Sequence, residues 1–161
     1  MKKIKKILAA NRSEIAIRVF RASEESGIRT AAIYSKEDRF ALHRFKTDES
    51  YLVGKDKGPI QAYLDIESII DVAKRANADA IHPGYGFLSE NPEFAEACKK
   101  NNIEFIGPTP EILKKLGNKT EAKKIAQEAN VDIIQSINIP NKFDINSLLL
   151  SAEKIGYPLI V

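Results

Sequence analysis

The sequence predicts an α/β protein built on a Rossmann-like, mostly parallel sheet. Short apolar runs typical of buried strands alternate with segments of helical period over the first 117 residues. Strands that alternate with helices at this spacing form right-handed βαβ units, and their helices cover both faces of the sheet. Apolar runs that predict strands lie at residues 4–10, 29–35, 50–54, 78–82 and 103–107. Segments with helical periodicity lie at residues 14–26, 65–77, 91–101 and 109–117.

Capping residues support two of these helices. The Ser13 hydroxyl is the expected N-cap of the first helix, and Gly27 follows its end. Ser89 or Asn91 can cap the third helix, with Pro92 in its first turn. Between the second and third predicted strands, a polar turn and a short segment at residues 40–45 complete the connection.

The alternation of short strands and helices changes after Gly117. A helix at residues 118–130 leads directly into a strand-like run at 131–139, and a further helix then ends at Gly156. We therefore predict two parts, residues 1–117 and residues 118–161. The apolar residues 157–161 resemble the start of a strand that has no partner left in the chain, which leads us to expect a sequence that is cut short.

Composition limits the classes of function. The chain has 161 residues, a net charge of +3 and a single cysteine, Cys98. One cysteine excludes an internal disulfide and fits a reducing cytoplasm, in which Cys98 is expected to be a packed helix residue. The small, dispersed charge does not favour nucleic acid, and no apolar run approaches the ~20 residues of a membrane span. We expect a cytoplasmic protein that binds neither nucleic acid nor membrane.

Two familiar nucleotide-binding motifs are missing from the loops after the strands. The loop ANRSE has no G-x-G-x-x-G, and the GNKT sequence at Gly117–Thr120 has no glycine at the P-loop spacing before it. A dehydrogenase and a Walker-type NTPase are therefore both disfavoured. Lys119 at the start of a helix opposes the helix dipole, which hints at phosphate, although an exposed lysine is the commoner explanation.

The sequence HPGYG at residues 82–86 predicts a tightly constrained turn. Pro83 fixes its own backbone angle, whereas Gly84 and Gly86 allow positive backbone angles or the close approach of another group. Two interpretations stay open for Tyr85: a ring that plugs the core, or a ring presented at the ligand-binding edge of the sheet. The two histidines, His43 and His82, have no carboxylate partner in the pattern and are read as structural.

Four segments, in their order and spacing, resemble the N-terminal part of biotin carboxylase, the ATP-grasp module of biotin-dependent carboxylases. They read ANRSEIAIRVFRA, AIHPGYGFLSENPEFAEAC, FIGP and LGNKTEAK. Within that group, ALHRFKTDESYLVG followed by GPIQAYLDI is most similar to the version found in pyruvate carboxylase. The subunits of acetyl-CoA and propionyl-CoA carboxylases are close alternatives. The resemblance implies a pre-ATP-grasp domain followed by the start of an ATP-grasp region.

The resemblance also implies a ligase chemistry. In the family, ATP and Mg²⁺ activate bicarbonate as carboxyphosphate, the carboxyl group passes to biotin on a biotinyl carrier domain, and pyruvate carboxylase then delivers it to pyruvate to give oxaloacetate. Carried over by motif, Tyr85 and Gly86 border the biotin and bicarbonate pocket, and Lys119 contacts the ATP phosphates. Arg18, Arg21 and Glu25 share one helix face, and the family implies a dimer contact there.

The groups that the family uses for catalysis and metal binding fall outside this chain, so no catalytic residue and no metal ligand is predicted within it. We expect the 161-residue chain alone to be inactive. An alternative from another class is a non-catalytic ligand-binding or interaction module that retains only the first domain.

Overall fold

The computed structural model describes residues 3–137, 139 and 144–159. Its internal contacts divide the chain into two compact units, Met1–Asn118 and Lys119–Val161. The division into two domains at residues 117 and 118 stays a prediction, and we describe the two units separately.

The first unit is a five-stranded sheet in which every neighbouring pair of strands is parallel. The strand order is β3-β2-β1-β4-β5, which is the order of a doubly wound Rossmann-type sheet. The strands are β1 Lys6–Ala9, β2 Arg29–Tyr34, β3 Glu49–Leu52, β4 Ala80–His82 and β5 Glu104–Phe105. The predicted fold class is therefore confirmed, although each strand is shorter than its apolar run.

Four helices accompany these strands in the first unit: α1 Ser13–Glu25, α2 Ile66–Arg75, α3 Pro92–Lys100 and α4 Pro110–Leu116. Three short 3₁₀ helices also occur, at Glu37–Phe40, Leu42–Phe45 and Gln61–Leu64. The first two replace a crossover α-helix between β2 and β3, and the second of them covers most of the predicted segment at residues 40–45.

Side chains on alternating positions of the strands pack against helices on opposite faces of the sheet. Ile7 and Ala9 of β1 pack with Val19 and Phe20 of α1. Leu8 lies on the other face, in the larger cluster that includes apolar residues of α2 and α3. This period-two alternation is what a strand buried on both faces requires.

The predicted N-cap of α1 is wrong, whereas the predicted end of the helix at Gly27 is right. Arg12, not Ser13, occupies the N-cap position, and its side chain makes no capping hydrogen bond. Ser13 is already the first helical residue, with φ of 54°. At the other end, the N–H of Gly27 donates to the carbonyl of Glu24, and the N–H of Ile28 donates to that of Ser23, which is a Schellman motif.

The second unit contains helices α5 Lys119–Glu128 and α6 Ile145–Ile155, the latter ending at Gly156 as predicted. The strand predicted at residues 131–139 is wrong for residues 131–137 and 139, which form no strand, and residue 138 lies outside the described residues. Most of this run is exposed, as Val131 and Ile134 illustrate, and no described strand pairs with it. In the run at residues 157–161, positions 157–159 form no strand and positions 160 and 161 lie outside the described residues.

Candidate functional site

The direction of winding of the sheet reverses between β1 and β4. The chain leaves β1 towards β2 on one side and leaves β4 towards β5 on the other. In open α/β sheets such a switch point leaves a crevice outside the carboxyl ends of the strands, where ligands bind. The loop that begins at Asn11 and the turn at residues 82–87 meet at this crevice.

Asn11 holds the turn from the neighbouring strand. Its side chain is only 3% exposed. The Nδ2 group donates hydrogen bonds to the carbonyl oxygens of Pro83 at 2.8 Å and Tyr85 at 2.9 Å, while Oδ1 accepts one from the N–H of Arg12 at 2.9 Å. The sequence interpretation did not single out Asn11, although a polar residue directly after a buried strand was an available signal.

The two glycines of the turn serve different purposes. Gly84 has φ of +67°, and a Cβ added there would lie 2.6 Å from Nδ2 of Asn11. Gly86 has φ of +65°, but an added Cβ would meet nothing within 4 Å. Gly84 is thus needed for close approach as well as conformation, and Gly86 for conformation alone.

Tyr85 is 63% exposed, so the interpretation of its ring as a core plug is wrong. Its hydroxyl donates a hydrogen bond to Oε1 of Glu14, in the first turn of α1. That bond to a carboxylate raises the pKa of the Tyr85 phenol above its ordinary value. The core position is filled instead by Tyr63, which is fully buried.

Phe87 anchors the far end of the turn. Its ring stacks on Tyr63 with centroids 5.2 Å apart, and the Arg12 guanidinium lies 5.7 Å from the centroid of Phe87 and 5.6 Å from that of Tyr63. Asp38 joins this group, since Oδ2 lies 3.3 Å from Nη1 of Arg12 and accepts a 2.7 Å hydrogen bond from the Tyr63 hydroxyl. Burial and the bond to Asp38 raise the pKa of Tyr63. The sequence interpretation missed this cluster.

An open cleft of about 300 Å³ lies beside the exposed phenol of Tyr85. It is lined by Asn11, Arg12, Ser13, Glu14, Ile15, Tyr85, Gly86 and Phe87. The N–H of Gly86 donates no hydrogen bond to any described residue, so it is available to a ligand. The cleft therefore offers an amphipathic ring and a free amide at the edge of the sheet.

Both histidines have structural partners. His82 accepts a hydrogen bond from the N–H of Gly84 at Nδ1, and partial burial lowers its pKa. His43 is fully buried, and its Nε2 donates to the carbonyl of Ile33 at 3.1 Å. Cys98 is buried as expected, which raises the pKa of its thiol to about 12.

The other residues predicted from the sequence are exposed. Arg18, Arg21 and Glu25 are exposed on α1, and none of them forms an ion pair with another described residue. Lys119 is exposed at the first position of α5, in the second unit. Within the described ranges, no three His, Cys, Asp or Glu side chains are grouped so that they could hold a metal ion. None of the described helices is long and apolar enough to span a bilayer.

Comparison with protein families agrees with this arrangement. The family model described as "Biotin carboxylase, N-terminal domain" matches residues 3–113. The chain belongs to this family. The resemblance expected from the sequence is thereby confirmed.

Known sequences extend the similarity along the whole chain. The chain is 55% identical to pyruvate carboxylase of Staphylococcus aureus over 100% of its length, and 52% identical to that of Bacillus subtilis over 98%. It covers only 14% of each of those proteins. Biotin carboxylase 2 of Bacillus subtilis is 47% identical over 97% of the chain, which covers 35% of that protein.

Solved structures show the same fold. A complete multifunctional pyruvate carboxylase from Rhizobium etli aligns with a TM-score of 0.80 and 55% identity, covering 84% of this chain and 13% of that one. The biotin carboxylase domain dimer of a 2-oxoglutarate carboxylase from Hydrogenobacter thermophilus, in complex with MgADP, ADP and bicarbonate, aligns with a TM-score of 0.86 and 42% identity. That alignment covers 98% of this chain and 34% of the other.

Proposed function

We propose that this chain is the N-terminal segment of a pyruvate carboxylase-type ligase. The intact protein carboxylates biotin with bicarbonate at the expense of ATP and transfers the carboxyl group to pyruvate, giving oxaloacetate. The observation that carries the proposal is the exposed turn of Tyr85 and Gly86, held at the switch point of a sheet that belongs to the biotin carboxylase family. Identity of 50% or more to several pyruvate carboxylases supports pyruvate as the final acceptor of the carboxyl group.

Tyr85 and Gly86 form one wall of the biotin and bicarbonate pocket. The unused N–H of Gly86 is a suitable donor to a planar ureido group or a small oxyanion, because both ligands accept hydrogen bonds. The phenol O–H is already donated to Glu14, so the oxygen of Tyr85 serves as an acceptor for a ureido N–H. Biotin, when bound, supplies the nitrogen that carries the carboxyl group. The hydrogen bond from Tyr85 to Glu14 fixes the ring against α1, so the ring is oriented before the ligand arrives.

Lys119 contacts the ATP phosphates in this proposal. Its ammonium group is exposed at the start of α5, where the helix dipole also favours an anion. Mg²⁺ accompanies the nucleotide, and its ligands lie elsewhere in the intact protein. The MgADP and bicarbonate bound in the Hydrogenobacter structure support these ligands for the family.

Two partners are proposed as well. The exposed Arg18, Arg21 and Glu25 make a contact between two copies of the biotin carboxylase module, and the Hydrogenobacter domain is a dimer. A biotinyl carrier domain brings biotin to the cleft. A cytoplasmic location is proposed because the single, buried Cys98 suits a reducing compartment.

A second candidate is the biotin carboxylase subunit of an acetyl-CoA or propionyl-CoA carboxylase. The 47% identity to Biotin carboxylase 2 of Bacillus subtilis favours it. A non-catalytic interaction module is the alternative of another class, and it predicts a native product that cleaves no ATP.

The deciding experiment combines the intact mass of the native gene product with an avidin blot of the same band. A long, avidin-positive product that cleaves ATP in the presence of bicarbonate and pyruvate supports the first proposal. A mid-sized, avidin-negative product that cleaves ATP when free biotin is added supports the subunit. A product near 17.9 kDa without bicarbonate-dependent ATP cleavage overturns both in favour of the interaction module.

A further inference from the structure

We infer that Asn11 is a positioning residue. It sets the distance of the Tyr85–Gly86 turn from the sheet and so places the turn for its ligand. This inference rests on the proposed function, because it concerns the wall of the biotin and bicarbonate pocket. Asn11 acts through the main chain of the turn, so its predicted effect is on ligand binding rather than on the chemical step.

The Asn11 amide is oriented by three hydrogen bonds, two donated and one accepted. Turning the amide over would place Oδ1 against two carbonyl oxygens and Nδ2 against the N–H of Arg12, which would lose all three bonds. Only one orientation therefore satisfies the group. Since Asn11 is 3% exposed and its bond to the Pro83 carbonyl is buried, water cannot easily replace that partner.

The two carbonyls that Asn11 binds lie on either side of Gly84. Among described residues outside 82–91, Asn11 alone donates hydrogen bonds to the main chain of residues 83–87. Pro83 lacks an N–H of its own, and the Gly84 N–H is taken by Nδ1 of His82. The distance of the turn from the sheet is thus set by Asn11, which follows β1 and lies more than 70 positions away in sequence.

Close packing reinforces this constraint. Because Gly84 has no Cβ, its backbone lies directly against the Asn11 amide. Beyond the turn, the stack of Phe87 on Tyr63 holds only the far end of the segment. Loss of the Asn11 amide would therefore release the main chain of Pro83 and Tyr85 while leaving Phe87 anchored, and the turn would keep only the exposed bond from the Tyr85 hydroxyl to Glu14 and its own internal bonds.

The test uses the complete native polypeptide and its bicarbonate-dependent ATP cleavage with free biotin as the carboxyl acceptor. We expect Asn11→Ala to raise the KM for free biotin by ~10-fold, because the turn loses the two hydrogen bonds that hold Tyr85 and Gly86 in the binding position, with kcat and the KM for ATP unchanged within about twofold. Asn101→Ala is the matched control, because Nδ2 of Asn101 donates a 2.8 Å hydrogen bond to the carbonyl of Ala97, far along α3. It should alter neither KM.

Several outcomes would overturn the inference. An unchanged KM for biotin in Asn11→Ala, or an equal rise in the KM for ATP, would show that Asn11 has no specific effect on the turn. If Asn11→Ala is poorly folded, Asn11→Ser replaces it, because serine retains one donor. The inference then requires that Asn11→Ser raise the KM for biotin by less than ~10-fold but clearly more than Asn101→Ala does. A wild-type polypeptide with no biotin-dependent ATP cleavage would overturn the proposed function, and the inference with it.

Discussion

The ring of Tyr63 stacks on that of Phe87, with centroids 5.2 Å apart and planes 19° from parallel. This contact joins the 3₁₀ helix Gln61–Leu64, in the core, to the end of the turn that presents Tyr85. The Tyr63 hydroxyl donates to Asp38 and accepts a hydrogen bond from the N–H of Ser35 at 3.2 Å. One buried side chain thus links the loops after β2 and β4.

Substituting Tyr63→Phe should keep the stack and remove both hydrogen bonds. Because Asp38 and the N–H of Ser35 are left without this partner, we expect the free energy of unfolding to fall by about 1–3 kcal/mol. Urea unfolding of the 161-residue chain measures it. Tyr85→Phe is the control, since its exposed hydroxyl should contribute less than ~0.5 kcal/mol. Equal losses in the two variants would contradict this assignment.

Alanine substitutions should separate the two glycines of the turn. Both Gly84→Ala and Gly86→Ala place a side chain at positive φ, which costs about 1–2 kcal/mol. Gly84→Ala also forces a Cβ against Asn11, and we expect roughly 1–3 kcal/mol more for the overpacking. Urea midpoints of both variants test the order. A larger loss in Gly86→Ala would show that the close approach of Gly84 to Asn11 carries no cost.

Local pattern was sufficient to predict most of the fold. The period of α1 and the glycine after it specify its extent, and Asn91 caps α3 through a 2.9 Å bond from the N–H of Phe94. The errors come where local pattern is ambiguous. Residues 131–137 have strand-like apolar composition, but a strand exists only if a partner strand pairs with it.

The site was predictable only in part. The spacing of Gly84 and Gly86 marked the turn, but the choice between a buried and an exposed Tyr85 depended on which tyrosine reaches the core. That position belongs to Tyr63, far away in sequence. The contribution of Asn11 depends on β1 lying beside β4, a tertiary fact that no local pattern contains. Asn11 was therefore missed.

The proposed nucleotide contact of Lys119 predicts a selective kinetic effect. In the complete native polypeptide, Lys119→Ala should raise the KM for ATP by about 10-fold or more, because a charged hydrogen bond to phosphate is lost. The KM for free biotin should change by less than about twofold. Lys115→Ala removes an exposed lysine from α4 and serves as the control. Equal effects of the two substitutions would contradict the role of Lys119.

The exposed face of α1 predicts a charge-dependent dimer. Arg18→Glu combined with Arg21→Glu reverses two charges on the proposed contact, so like charges should repel across it and weaken association. Sedimentation velocity of the complete polypeptide at about 0.15 M salt should show a shift towards smaller species. Lys74→Glu, on the exposed side of α2, should leave the distribution unchanged. A double variant that associates like the wild type would exclude this face as the contact.

His43 makes the stability of the fold depend on pH. Burial lowers its pKa below 6.5, although the carbonyl of Ile33 and the carboxylate of Asp38 act in the opposite direction and Arg12 adds to the lowering. The Nε2 hydrogen bond to Ile33 fixes the neutral tautomer, and Nδ1 has no described partner. Protonation would therefore place an unpaired N–H in the core.

Stability should consequently fall as the pH drops below about 6.5, because the unfolded chain binds a proton there while the folded chain does not until its lower pKa is reached. His43→Gln can still donate to the carbonyl of Ile33 but does not titrate, so urea unfolding of this variant should show a smaller loss between about pH 7 and pH 5. The pH dependence of stability that remains in this variant comes partly from His82, whose pKa is also lowered. NMR titration resolves the only two histidines of the chain directly. A His43 ring that titrates at or above 6.5 would contradict the prediction, since burial would then impose no penalty on its charged form.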